Sequence, residues 1–150
     1  MKLCRASSSM PLVSPIVNVD GVPYLDGGLA DSIPVKRAQA LGNEKIIVIL
    51  TRNPGYRKKP TSRGVKSLYK RAYKKYPNLV RTAIKRSMIY NQQMELVEKL
   101  EDEGKIFVIR PLIPTVSRLE KNYDALMHFY EHGYRLMKRQ YQALQEYMEK

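Results

Sequence analysis

Hydrophobic and polar positions change period several times along this chain, and each change marks an element. Residues 2 to 10 read as the tail of a helix, stopped by Pro11. Ile16-Val17-Asn18-Val19 and Pro23-Tyr24-Leu25 are strand-like runs flanking Asp20-Gly21, a hairpin-turn dipeptide. Pro34 to Leu41 reads as a short helix, with proline near its first turn and Gly42 at its end. Lys45-Ile46-Ile47-Val48-Ile49-Leu50-Thr51 is a continuous apolar run of strand length. Such a run suits a strand covered on both faces, as in a parallel α/β sheet.

Beyond it, Arg52 to Arg63 is a basic loop broken by Pro54, Gly55 and Pro60. Gly64 to Tyr76 predicts a helix with Val65, Leu68, Tyr69, Ala72, Tyr73 and Tyr76 on one face. Pro77 opens a second helix to about Glu103, and Gly104 ends it. Ile106-Phe107-Val108-Ile109 is a further strand, and Pro111 to Pro114 breaks the chain again. Asn122 to Glu149 predicts a helix of roughly 28 residues, about 42 Å long. Its expected seam is Tyr123, Leu126, Tyr130, Gly133, Met137, Tyr141, Leu144 and Met148, and a seam of that length needs a long partner surface. Helix, strand and polar loop in succession are the mark of an α/β fold.

Composition adds limits. With 150 residues, 43% hydrophobic, the chain can bury a real core. No apolar run approaches the ~20 residues of a membrane span, and the N-terminus lacks the apolar core of a secretory signal. Cys4 is the one cysteine, which rules out an internal disulfide and a Cys-based metal site. A lone thiol suits a reducing compartment, so the expected location is cytoplasmic.

Charge changes the picture more. Lys and Arg total 27 against 14 Asp and Glu, a formal net charge of +13. Arg52 to Arg86 holds 13 basic residues and no acid, so the excess sits in that window. A solvated helix face is the ordinary explanation of such a run. An anionic membrane surface is the stronger functional reading, with Lys66, Lys70, Arg71, Lys74 and Lys75 as contacts on a face opposite Leu68, Tyr69, Tyr73 and Tyr76. Nucleic acid ranks below it, because no nucleic-acid-binding motif accompanies the basic and tyrosine residues.

The sharpest chemical signal is Tyr24-Leu25-Asp26-Gly27-Gly28-Leu29-Ala30-Asp31-Ser32-Ile33-Pro34-Val35. It reads as a strand entering a tight turn that displays an acid, with glycines allowing close approach. Asp-Gly is also a common turn signal without chemistry. Asp31 and Ser32 read as caps for the helix that follows. Upstream stands Ala6-Ser7-Ser8-Ser9-Met10-Pro11. This order of a helix end, a hairpin, the DGG motif and then Ile33-Pro34-Val35 resembles the second half of the patatin-like phospholipase domain, over residues 1 to 52.

The resemblance implies a C-terminal part of a three-layer α/β/α domain (residues 1–52). Residues 53–150 would add a basic helical region, one strand and a long C-terminal helix on the same domain. It implies a serine acyl hydrolase with a Ser–Asp dyad and no cofactor. Asp26 matches the catalytic aspartate, with Gly27 and Gly28 as motif support. A carboxylate is a weak base, with an ordinary pKa of about 3.9. The dyad therefore needs one held within hydrogen-bond reach of the hydroxyl, away from bulk water. The family's nucleophile lies on a G-x-S-x-G elbow, and this sequence has none, nor a triple-glycine loop. The chain is expected to be the aspartate-bearing part of a larger lipid or ester hydrolase, inactive alone, whose N-terminal half is its partner. It would lie in the cytoplasm, peripheral to the inner membrane face. The rival is a non-catalytic half-domain that binds anionic lipid surfaces or another partner. His128-Phe129-Tyr130-Glu131-His132 fits an H-x-x-E-H zinc pattern. It has no obvious third ligand, although Glu146 and Glu149 lie on the same helix, and no metal is expected.

Overall fold

The computed structural model describes residues 1–117 and 119–149. Helices alternate with two small sheets, so the chain is mixed α and β. It divides into two compact units, one of Met1–Pro34 with Arg57–Leu96 and one of Val35–Tyr56 with Val97–Lys150.

In the first unit, α1 (Lys2–Ser7) is shorter than the sequence predicts. The hydroxyls of Ser8 and Ser9 donate back to carbonyls of Cys4 and Arg5, closing the helix before Pro11. Strands β1 (Val17–Val19) and β2 (Val22–Tyr24) pair antiparallel as expected, with Val19 opposite Val22. Asp20 and Gly21 have φ of 51° and 80°, the two positive values that a type I′ hairpin turn demands. Helix α3 (Arg63–Ala72) is capped by the Ser62 hydroxyl, which accepts from Val65 N–H. Tyr73 follows it, buried, and its hydroxyl accepts from Leu12 N–H at 2.8 Å. The core here is Ala6, Leu29, Ile33, Tyr73, Val80, Ala83, Tyr90 and Met94. Asn91 clips the chain entering the unit, exchanging two bonds with the Lys58 backbone.

Helix α4 (Pro77–Asp102) starts with proline at its first position and ends before Gly104, whose φ is +65°. Its later turns bring Val97 and Leu100 to the second core, with Val35 of α2 (Val35–Ala40) also buried there. Strands β3 (Ile47–Ile49) and β4 (Phe107–Ile109) pair parallel, with Val48 opposite Val108 and both buried. The parallel pairing agrees with the sequence expectation. The expected cover on both faces holds only in part. Ile47 and Ile49 are exposed, whereas on the same face of β4 Ile109 is buried and Phe107 is half-buried, so that face is covered over β4 and open over β3.

The long helix α5 (Tyr123–Glu149) is present as predicted, but the predicted seam is not its packed face. Leu136 is buried and Phe129, His132 and Tyr147 are half-buried, while Tyr123, Tyr130 and Tyr141 are 70%, 66% and 55% exposed. The helix is apolar on two neighbouring faces, and spacing alone does not rank them. Polar contacts decide. The Tyr147 hydroxyl accepts from Ile46 N–H at 3.0 Å and lies 3.1 Å from the Lys105 carbonyl, and its ring packs on Phe107. Those bonds anchor the Phe129–Leu136–Tyr147 side to the strands.

Candidate functional site

Asp26 lies two residues beyond β2, at the N-cap of a 3-10 turn, Gly27–Leu29. One carboxylate oxygen, Oδ1, accepts from Gly28 N–H at 2.7 Å. Among the described residues the other oxygen has no hydrogen-bond partner. The Asp26 N–H donates to the Ser9 carbonyl at 2.8 Å, which ties the turn to the end of α1. The upstream Ser-rich segment and the Asp-Gly-Gly motif therefore touch directly, which their order in the sequence does not show.

The turn is held from the other side by α4. Arg86 Nε donates to the Gly28 carbonyl at 2.8 Å, and the Ser32 hydroxyl donates to the same carbonyl at 2.7 Å. Two turns further on, the Gln93 amide oxygen accepts from Ile33 N–H, and its nitrogen donates to the Asp31 carboxylate. Arg86 also lies beside Tyr69. Burial pushes that phenol above its ordinary pKa, and the guanidinium draws it partly back.

Several expectations change on this geometry. Asp31 and Ser32, read as caps for the next helix, are instead spent on Gln93 and on the Gly28 carbonyl. Gly28 is required by close approach, since a Cβ there would stand 3.0 Å from Asp26 Oδ1 and 3.6 Å from an Arg86 nitrogen. Gly27 has no such demand, as a Cβ would meet nothing within 4 Å. Arg86 and Gln93 were missed as site residues. Arg86 stood only as one charge of the basic window, and Gln93 was not singled out. Their spacing of seven on one predicted helix face was the available signal.

Arg86→Leu is expected to loosen the turn while the helix persists. A bond with one charged partner contributes about 1.5 kcal/mol, so the Leu29, Ala30 and Asp31 amides should exchange roughly tenfold faster. Amide exchange followed by NMR reads this directly, and unchanged rates would mean that Arg86 does not hold the turn.

The five basic residues expected at an anionic surface lie in and just after α3. Lys70, Arg71, Lys74 and Lys75 are exposed and Lys66 is half-buried. Val65, Leu68 and Tyr76 are 40%, 49% and 38% exposed beside them. Tyr73, read as part of that open face, is instead committed to the core. In the H-x-x-E-H segment, His132 Nε2 accepts from Leu112 N–H at 3.1 Å, and Glu131 pairs with Arg135. Among the described residues no three His, Cys, Asp or Glu side chains cluster as metal ligands. No helix among them is long and apolar enough to cross a membrane.

Comparison with known proteins bears on both halves of the chain. Residues 1–38, which include the turn, match the family model described as Patatin-like phospholipase. Residues 76–149, which supply Arg86 and Gln93, match the one described as Domain of unknown function (DUF6363). A stretch of 52 residues is 42% identical to Uncharacterized protein YjjU of Escherichia coli (strain K12). That stretch is 34% of this chain and 15% of the relative's length. Segments matched by two separate family models thus meet within the first unit, at the Gly28 carbonyl.

An apolar cleft of about 80 Å³ in the same unit is lined by Ile16, Pro23, Tyr24, Leu25, Tyr76 and Leu79. Chemically, the turn offers a fixed carboxylate with one unengaged oxygen.

Proposed function

We propose that this chain is the aspartate-bearing part of a patatin-like serine acyl hydrolase acting on a lipid or other carboxylic ester, within a three-layer α/β/α domain. Asp26 is its catalytic carboxylate. One observation carries the reading. The carboxylate is fixed through Oδ1 while its other oxygen remains available, within the residues that match the Patatin-like phospholipase model. A serine on a G-x-S-x-G elbow elsewhere in the longer protein attacks the acyl carbonyl, and its proton passes to Asp26. Backbone N–H donors of an upstream glycine loop hold the oxyanion. Asp26 gives that proton to the departing alcohol as the ester C–O bond breaks, leaving the acyl group on the serine. Water, deprotonated by Asp26, then attacks the acyl-serine, and the proton returns to the serine oxygen as the carboxylic acid leaves. The mechanism needs no metal or organic cofactor. The test is ester hydrolysis by the longer protein, with and without Asp26→Asn.

A second feature favours a lipid surface as the setting. Val65, Leu68 and Tyr76 stand exposed among Lys66, Lys70, Arg71, Lys74 and Lys75. A basic helix with an open apolar edge suits the headgroup region of an anionic membrane. Each basic residue near such a surface contributes about 1 kcal/mol. Lys70→Ala with Lys74→Ala is expected to weaken binding to phosphatidylglycerol vesicles about 30-fold. Binding to phosphatidylcholine vesicles should be weak and unchanged, and added salt should weaken the former. Flotation with both vesicle types measures this, and equal binding to the two would remove the membrane reading.

A further inference from the structure

The outward face of α5 is more regular than an incidental apolar surface. From Tyr123 the exposed and half-buried apolar positions advance by four and three residues in strict alternation, through Met127, Tyr130, Tyr134 and onward to Met148. That is a period of 3.5, the spacing that keeps one stripe facing a second helix along its whole length. No residue of the stripe is buried, and Tyr134 is 56% exposed at its middle. The face that meets β3 and β4 is a different one, so the stripe is free of that duty.

We propose that this stripe binds a second copy of the chain, with the two α5 helices antiparallel about a two-fold axis. Charge complementarity selects this occupant. In an antiparallel pair aligned end to end, Tyr134 of one copy packs on Met137 of the other, and Tyr130 on Tyr141. Toward the ends Met127 meets Leu144 and Tyr123 meets Met148. Every layer is filled, with neither helix overhanging. The positions bordering the stripe on its open side are Asp124 and Glu131 in the N-terminal half, then Lys138 in the C-terminal half. Antiparallel alignment sets Glu131 against Lys138 of the other copy, and the symmetry makes that pair twice. Parallel alignment in register would set Glu131 beside Leu126 and Lys138 beside Gly133 of the other copy, so neither charge would meet an opposite one.

The centre of the helix already has the needed shape. An open groove of about 400 Å³ there is lined by Tyr130, Glu131, Tyr134, Arg135 and Lys138. Lys138 Nζ lies 4.8 Å from the centre of the Tyr134 ring, within the stripe. Glu131 bonds Arg135 on its own helix at 2.9 Å, so a facing lysine extends a network rather than pairing alone. The Tyr147 anchors of the two copies fall at opposite ends of the pair, which keeps the attached sheets apart.

The test uses the full 150-residue chain. Sedimentation equilibrium of the unaltered chain should give a dimer in the micromolar range. Glu131→Lys alone and Lys138→Glu alone each set like charges together twice, and each should raise the dissociation constant at least tenfold. An equimolar mixture of the two variants makes both cross-pairs opposite in charge. It should form a heterodimer about as tight as the unaltered homodimer. Tyr134→Glu, with helicity checked by circular dichroism, should be monomeric. A monomer at 100 µM for the unaltered chain would overturn the proposal. So would a dimer that ignores the single charge reversals, or variants that fail to restore each other on mixing.

Discussion

If the proposed serine hydrolase is correct, Asp26→Asn in that longer protein is expected to lower kcat for ester hydrolysis by about 10³-fold and to leave the fold intact. Asparagine keeps the side chain's shape, and its carbonyl oxygen can still accept from Gly28 N–H. What it loses is the ability to take a proton at the other position, which in Asp26 has no partner among the described residues. A positioned general base contributes typically 10²- to 10⁴-fold, so the loss falls on the chemical step rather than on binding. Asp31→Asn is the matched control. That carboxylate is taken by Gln93, and its change should leave kcat within a few-fold of the original. Hydrolysis of a short-chain ester and of a phospholipid, with KM and kcat separated, makes the comparison. Full activity in Asp26→Asn would end the role assigned to that residue. An unaltered protein with no esterase activity would end the hydrolase reading itself.

Met94→Ala is expected to give a large loss of stability. Met94 is 1% exposed, on the part of α4 that also carries Gln93. Removing a buried methionine side chain costs about 3 kcal/mol, through lost transfer energy and the cavity left behind. For a chain of this size that is a fall of roughly 6–12 °C in Tm. Met88→Ala, on the same helix but 50% exposed, should stay within about 0.5 kcal/mol. The pair differs in burial and not in residue type or helix, so it isolates packing from helix propensity. Urea unfolding followed by circular dichroism measures both, and equal small losses would mean that the first core is looser than its burial implies.

The period of the apolar residues carried the elements well. Asp20-Gly21 set a hairpin because positive φ at two successive positions is cheap there. Pro77 and Gly104 bounded α4 because one lacks a donor the first turn never uses and the other accepts a left-handed exit. Such local rules act within a few residues, and the sequence states them openly. A parallel sheet was the expectation for the run at Ile47–Ile49, but its neighbour Phe107–Ile109 was legible only as a further strand.

The site was legible only in part. Asp26 could be picked out by its turn and by the residues around it. Its second support could not, because Arg86 lies 58 positions downstream of Gly28 and looks in sequence like one cation among many. Tyr73 was misjudged for the same reason. A tyrosine on a basic helix reads as an open face until Leu12 N–H is found bonded to its hydroxyl.

By itself, the sequence determined which helices and strands form and in what order, where positive charge accumulates, and which acid stands on a glycine-flanked turn. These follow from backbone sterics, local hydrogen bonding and composition. The tertiary structure alone decided which apolar face of α5 is packed and which is open, which basic residue grips the Asp26 turn, and which face of β3 stays bare. Each of those outcomes depends on groups far apart in the chain coming within bonding distance, and a one-dimensional period cannot rank two faces that both satisfy it.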